Sequence, residues 1–154
     1  DRRPSTTYIE RIPIVNNDLM NNIDVKRVLS PVSVADNTAQ VGTVVDRQGY
    51  GSVTYLIATG SIADADATFT VLLEESDASG SGFAAVADAD LLGTEVLAQF
   101  QFDDDNECRK LGYIGVKRYT RMTITPVNNA SAALLAAVCV LGNPEVAPTA
   151  NPPA

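Results

Sequence analysis

The sequence predicts an all-β fold, an antiparallel sandwich or barrel with an extended arm at each end. Three observations point to it. Apolar and polar residues alternate with period 2 through most of the chain, which puts one face of each strand on a core. The alternating runs are rich in β-branched and aromatic residues, which suit a pleated surface. Turn chemistry breaks the runs at intervals of about 8–12 residues, the spacing of short strands in a sandwich or barrel.

Taken in order, residues 1–23 read as an N-terminal arm. The segment YIERIPIVNNDLMNN has apolar residues spaced for contact but no clean strand beyond Tyr8–Ile14. Tyr8, Ile9, Ile12 and Ile14 are expected to lie on a neighbouring subunit, with a frayed terminus as the plainer alternative. Residues 24–142 are expected to form the sandwich domain. In Ser52–Thr59, Val53, Tyr55 and Ile57 share one face, and Thr54, Leu56 and Ala58 the other. In Thr68–Glu75, Phe69, Val71 and Leu73 face one way. Val96–Phe102 reads as a strand with Val96, Ala98, Phe100 and Phe102 on its core face. In Lys117–Thr125, Thr120, Met122 and Ile124 form one face, while Lys117, Tyr119 and Arg121 share the other. Ala84–Leu91 is a candidate turn of helix. Ala130–Leu141 is apolar all round and reads as a central strand buried on both faces, with a helix as the alternative. Gln48–Gly51, Gly60-Ser61, Ser76–Gly82 and Asn128-Asn129 are the turns between runs. Residues 143–154, NPEVAPTANPPA, hold four prolines and read as an extended C-terminal arm outside the sheet interior. Such an arm either lies on a neighbour or frays.

The 154 residues suit one domain. Charged residues make up only 19%, and with so much Ala, Val and Thr this points to surface covered by neighbours. The net charge of −8 is unevenly spread: residues 28–105 carry 13 acids and one base, Arg47. An acidic centre without a basic stripe argues against direct nucleic-acid binding. No apolar run approaches the roughly 20 residues of a membrane-spanning helix. No secretory signal is visible, and the opening at Asp1 leaves room for a segment removed upstream. Of the two cysteines, Cys139 lies in an apolar run and is expected to be a buried free thiol. A bridge to Cys108 is the alternative.

Chemistry is sparse. There is no histidine, which removes His-based triads, His metal sites and the usual general base near neutral pH. Two separated cysteines are too few for a thiolate zinc site. Carboxylates come in pairs, but sugar cleavage normally needs aromatic platforms, and Trp is absent. A calcium loop starting at Asp103 fails at Cys108, where glycine is required, and at Leu111 near its end. A site irregular in form between β-loops stays open. The chain is therefore expected to be no enzyme and to hold no cofactor or metal.

The segments 51–80 (GSVTYLIATGSIADADATFTVLLEESDASG), 102–126 (FDDDNECRKLGYIGVKRYTRMTITP) and 133–144 (ALLAAVCVLGNP) carry a resemblance. In that order they resemble small proteins encoded beside the major coat protein gene of tailed bacteriophages and prophages. The resemblance covers about 95 of the 154 residues, chiefly 43–144. It implies a jelly-roll-like antiparallel β-sandwich that decorates or cements a phage capsid. On that reading it sits as a dimer or trimer on the outer surface of the virion, bridges major capsid protein subunits and is assembled in the host bacterial cytoplasm. A tail or head–tail connector component is an alternative, and a carbohydrate- or ligand-binding β-sandwich module is another. The resemblance carries over no functional residues. From the residues themselves, FDDDNECRKLGYIGVKRYTR reads as a hairpin with an acidic tip at Asp103–Glu107 and a return strand from Leu111, bent at Gly112 and Gly115. Lys117, Tyr119 and Arg121 are the candidate contact with an acidic neighbour, such as the acidic block of another copy.

Overall fold

The computed structural model of the chain describes residues 17–153. The described residues form eleven strands: β1 (Ile23–Val34), β2 (Gln40–Val41), β3 (Val45–Asp46), β4 (Tyr50–Ile62), β5 (Thr68–Ser76), β6 (Ala84–Ala85), β7 (Leu91–Leu92), β8 (Phe100–Gln101), β9 (Cys108–Tyr113), β10 (Tyr119–Val127) and β11 (Ala133–Pro144). One helical turn, α1 (Glu95–Ala98), lies between β7 and β8. The first sheet runs β1-β11-β4-β9-β7. The second has β10 and β5 at its centre, with β2 and β3 on the free edge of β10, and β6 and β8 on that of β5. All pairs are antiparallel, and one set of them is nested: β1 with β11, β2 and β3 with β10, β4 with β9, β5 with β6 and β8. First strand pairs with last and each inner pair follows suit, which is the wrapping of a jelly roll. The predicted all-β sandwich is the fold.

Alternation decides what fills the space between the sheets. From β4 come Val53, Tyr55 and Ile57, from β5 Phe69, Val71 and Leu73, and from β10 Thr120, Met122 and Ile124, all buried. β11 adds Ala133, Leu135, Ala137, Cys139 and Leu141. Each large apolar side chain so buried contributes roughly 1.5–3 kcal/mol. Phe69 and Phe100 stack at 4.7 Å between centroids. Cys139 is buried on this inner side while Cys108 is exposed, and both are free. They sit on opposite faces of the first sheet, so no bridge joins them.

Several expectations change. Val96–Phe102 is not a strand: α1 takes its first part and β8 only Phe100–Gln101. Thr94 caps that turn, its hydroxyl accepting from Leu97 N at 3.1 Å, and Val96 faces solvent at 73% exposure. Phe100 reaches the core, but Phe102 is 39% exposed. Ala84–Leu91 is a two-residue strand followed by a 3-10 turn at Asp88–Asp90. Phe102–Arg121 is no hairpin, because β8 belongs to the second sheet and β9 to the first. The acidic tip is instead a corner between sheets, pinned by Ile62 N to Asp105 Oδ1 (2.8 Å) and Asn106 N to Gly60 O (3.1 Å). Gly112 lies in regular pairing; a Cβ there would come within 2.8 Å of Leu92 Cβ, so glycine lets β7 approach. β1 had no counterpart in the sequence reading. Its Pro31 and register shifts are tolerated because it is an edge strand.

The ends also differ in detail. The sandwich spans Ile23–Pro144, slightly wider than 24–142. The proline-rich end folds back on its own chain: Thr149 N donates to Asn21 O (2.9 Å) and Thr149 Oγ1 to Ile23 O (2.6 Å). The N-terminal contact residues Tyr8, Ile9, Ile12 and Ile14 lie outside the described residues.

Both open sides of the sandwich are stitched. Gly42 N donates to Met122 O (2.8 Å) in the second sheet, and Thr43 N to Val28 O (3.0 Å) in the first. On the other side, β6 and β8 cover the two ends of the β5 edge, and Glu95 fills the gap. Its Oε1 accepts from Leu73 N at 2.7 Å. Covering a bare edge in this way suppresses strand-to-strand association.

Candidate functional site

The sequence pointed to Lys117, Tyr119 and Arg121. Tyr119 and Arg121 do project from the outer face of β10, while Lys117 precedes the strand. Each has a partner within the chain. Lys117 pairs with Asp77. Arg121 places Nε and Nη2 at 3.0 and 2.8 Å from Glu74 Oε2, its cross-strand neighbour, and lies 4.4 Å from the Phe83 ring centroid. Arg118 packs over the Tyr119 ring at 5.0 Å and grips Asp46 through Nε (3.0 Å) and Nη2 (2.7 Å). That fork holds the Asp46 carboxyl below its ordinary range. The cations of the outer second sheet are thus engaged with acids of their own chain.

At one end of the core, Tyr113 Oη donates to Glu75 Oε2 at 2.5 Å and accepts from Lys117 N at 3.0 Å. The Arg47 guanidinium lies 5.5 Å from the Tyr113 ring centroid. Burial, and then the bond to Glu75, push the phenol up to about 12. This cluster closes one end of the sandwich, with Tyr113 itself buried. Among the described residues no group of three His, Cys, Asp or Glu side chains is placed to hold a metal. The Asp103–Asp105 segment is spoken for: Asp104 Oδ1 pairs with Arg109 at 2.8 Å, Asp104 Oδ2 accepts from Gln101 N at 2.9 Å, and Asp105 accepts from Ile62 N.

Among the described residues the aromatic side chains offer no flat platform. Tyr55, Tyr113, Phe69 and Phe100 are buried, and Tyr119 and Phe83 each have a guanidinium over the ring. Tyr50 Oη donates to Asp24 Oδ2 at 3.1 Å. Phe102, at 39%, is the most exposed aromatic among the described residues.

The distinctive surface is the outer face of the first sheet. Antiparallel register aligns its residues in rows across the strands. One row is Arg27–Val138–Leu56–Lys110, and the next is Val25–Val140–Thr54–Gly112–Leu92. On the other side of the first row lie Ala136, Ala58 and Cys108, then Leu134 over Gly60. Leu134, Val25 and Leu92 are 44%, 36% and 57% exposed. These rows contain no carboxylate, and Arg27 and Lys110 are their only charges, in a chain of net charge −8. Shallow hollows run along the face, one lined by Pro31, Val32, Gly60 and Leu134, another by Leu92, Leu97, Lys110 and Gly112. The sequence reading missed the face as a site. Its signal was the ALLAAVCVL run, apolar on both sides of a strand that has a core on only one.

No family model matches the chain, and no curated protein does. Among solved structures it is similar to the CBM22-1–GH10 modules of the Clostridium thermocellum endo-1,4-beta-D-xylanase 10B, determined with xylohexaose. The identity is 10% and the TM-score 0.43, over 86% of this chain and 28% of that one. A likeness that loose has no bearing on what this chain binds.

Proposed function

We propose that the chain is a structural binding module of a phage particle, a capsid decoration or cement protein. In this reading it sits on the outside of the shell, bridges major capsid protein subunits and performs no chemistry. The observation that carries the reading is the outer face of the first sheet. A strand apolar on both faces belongs where both faces are covered. β11 is apolar on both, yet the fold covers only its inner side. A second cover supplied by a partner accounts for the run. The resemblance of segments 51–80, 102–126 and 133–144 to phage head-region proteins supplies the identity of that partner.

The size of the face bears on how attachment works. Four strands and four residue rows make a footprint of roughly 20 by 27 Å, or about 550 Å². That is below the roughly 800 Å² per partner of a standard interface. One copy alone then binds weakly, and dimers or trimers on a symmetric shell gain avidity from simultaneous contacts.

Quantifying the chain in purified particles tests the reading. Copy number near that of coat protein is expected, and Val138→Asp is expected to be folded but lost from particles. Presence in infected-cell lysate with absence from particles overturns the proposal. A few copies per particle points to a tail or connector component instead.

A further inference from the structure

We infer that the surface covering this face belongs to a different chain and is acidic in a specific way: an apolar centre flanked by carboxylates about 14 Å apart. The inference rests on the proposed capsid attachment and names the chemistry of that partner. Arg27 and Lys110 close the two ends of one cross-strand row, with Val138 and Leu56 between them. Three inter-strand spacings separate the two cations, which sets the 14 Å figure. Arg27 donates only to the neutral Ser30 Oγ, at 3.0 Å, and neither cation forms an ion pair among the described residues.

Docking an apolar surface over this row strips water from both cations. Desolvated charges must be paired or they oppose binding. Neither sheet face of a second copy supplies the pairing. Packed through the same face, two copies bring four cations and no carboxylate together. Packed through the outer second sheet, a copy presents Asp46 and Glu74, which Arg118 and Arg121 already hold. The partner chain must therefore bring its own carboxylates, one for each end of the row.

The test measures binding of the full chain to shells assembled from purified major coat protein, at about 50 and about 300 mM NaCl. Wild type is expected to bind, and to bind at least tenfold more weakly at the higher salt. Arg27→Glu/Lys110→Glu is expected to lose at least tenfold at low salt, while Lys110→Arg keeps wild-type binding. Both side chains are exposed, and circular dichroism confirms that the variants fold. Binding that ignores both salt and charge reversal overturns the inference and leaves the capsid reading standing. A wild-type dimer in solution that Val138→Asp abolishes also overturns it, because the second cover is then another copy. Failure of folded wild type to bind any shell overturns both.

Discussion

Tyr55 Oη and Thr120 Oγ1 lie 2.8 Å apart in the middle of the sandwich, one from each sheet, and both residues are fully buried. Burial holds the phenol far above its ordinary value, so it stays neutral at any working pH. The pair fixes how the sheets sit on one another, because a hydrogen bond in a dry core is worth most when neither group has another partner. Thr120→Val keeps the shape and orphans the phenol; Tyr55→Phe does the reverse. Each is expected to lower stability by about 1–3 kcal/mol in urea unfolding. The double variant is expected to lose clearly less than the sum, and a double-mutant cycle that adds without coupling refutes the role given to this pair.

Gly42 crosses between the sheets where a Cβ would lie 2.6 Å from both Met122 O and Val28 Cγ1. Gly42→Ala is therefore expected to cost about 1–3 kcal/mol, as overpacking does elsewhere. Gly80 has open space around it, and Gly80→Ala is the control expected to sit near zero. Equal thermal midpoints for the two variants would contradict the steric account.

Glu95 supplies the acceptor that the β5 edge lacks at Leu73. Glu95→Ala is expected to lose about 1 kcal/mol, while Glu95→Gln, which retains an acceptor oxygen, stays closer to wild type. Hydrogen exchange at the Leu73 amide checks the mechanism: it should speed up selectively in Glu95→Ala.

Asp46 contributes to acid stability. Its carboxyl is held below the ordinary 3.8, chiefly by Arg118. A lowered folded-state value contributes stability that is present above the unfolded value and lost as pH falls through the folded one. Unfolding free energy is thus expected to decline below about pH 4. Arg118→Gln should make that decline shallower. The pair is largely solvent-facing, so the change is small. An unchanged acid limb in Arg118→Gln would show that other carboxylates carry it.

The two thiols should separate cleanly toward a disulfide reagent. Cys108 is exposed, whereas burial pushes Cys139 up to about 12. One equivalent is expected to react in the native state and a second only on denaturation. Prompt reaction of both would mean that β11 opens far more readily than its central position implies.

Much of the fold was legible because two of the long inner strands obey one rule each. Val53–Tyr55–Ile57 and Phe69–Val71–Leu73 sit on the core as their alternation demands. Val96–Phe102 misled because its alternation is genuine, yet Thr94 and Glu95 start a helical turn there, and local capping prevailed over period. β1 was hidden by Pro31 and by charges that an edge strand tolerates. Of the candidate site, the sequence placed Tyr119 and Arg121 on one face correctly. It could not show that Glu74, 47 positions away, already holds Arg121.

By itself, then, the sequence determined the all-β class, the core faces of β4, β5 and β10, and the lack of histidine. These depend on periods and residue types within a few positions of one another. Only the tertiary structure decided which strands share a sheet, and so which side chains stand in a row. The acidic tip became a corner between sheets, and Arg27, Val138, Leu56 and Lys110 became neighbours. The physical reason is that cross-strand register is set by long-range pairing of a whole strand. No local pattern reports it.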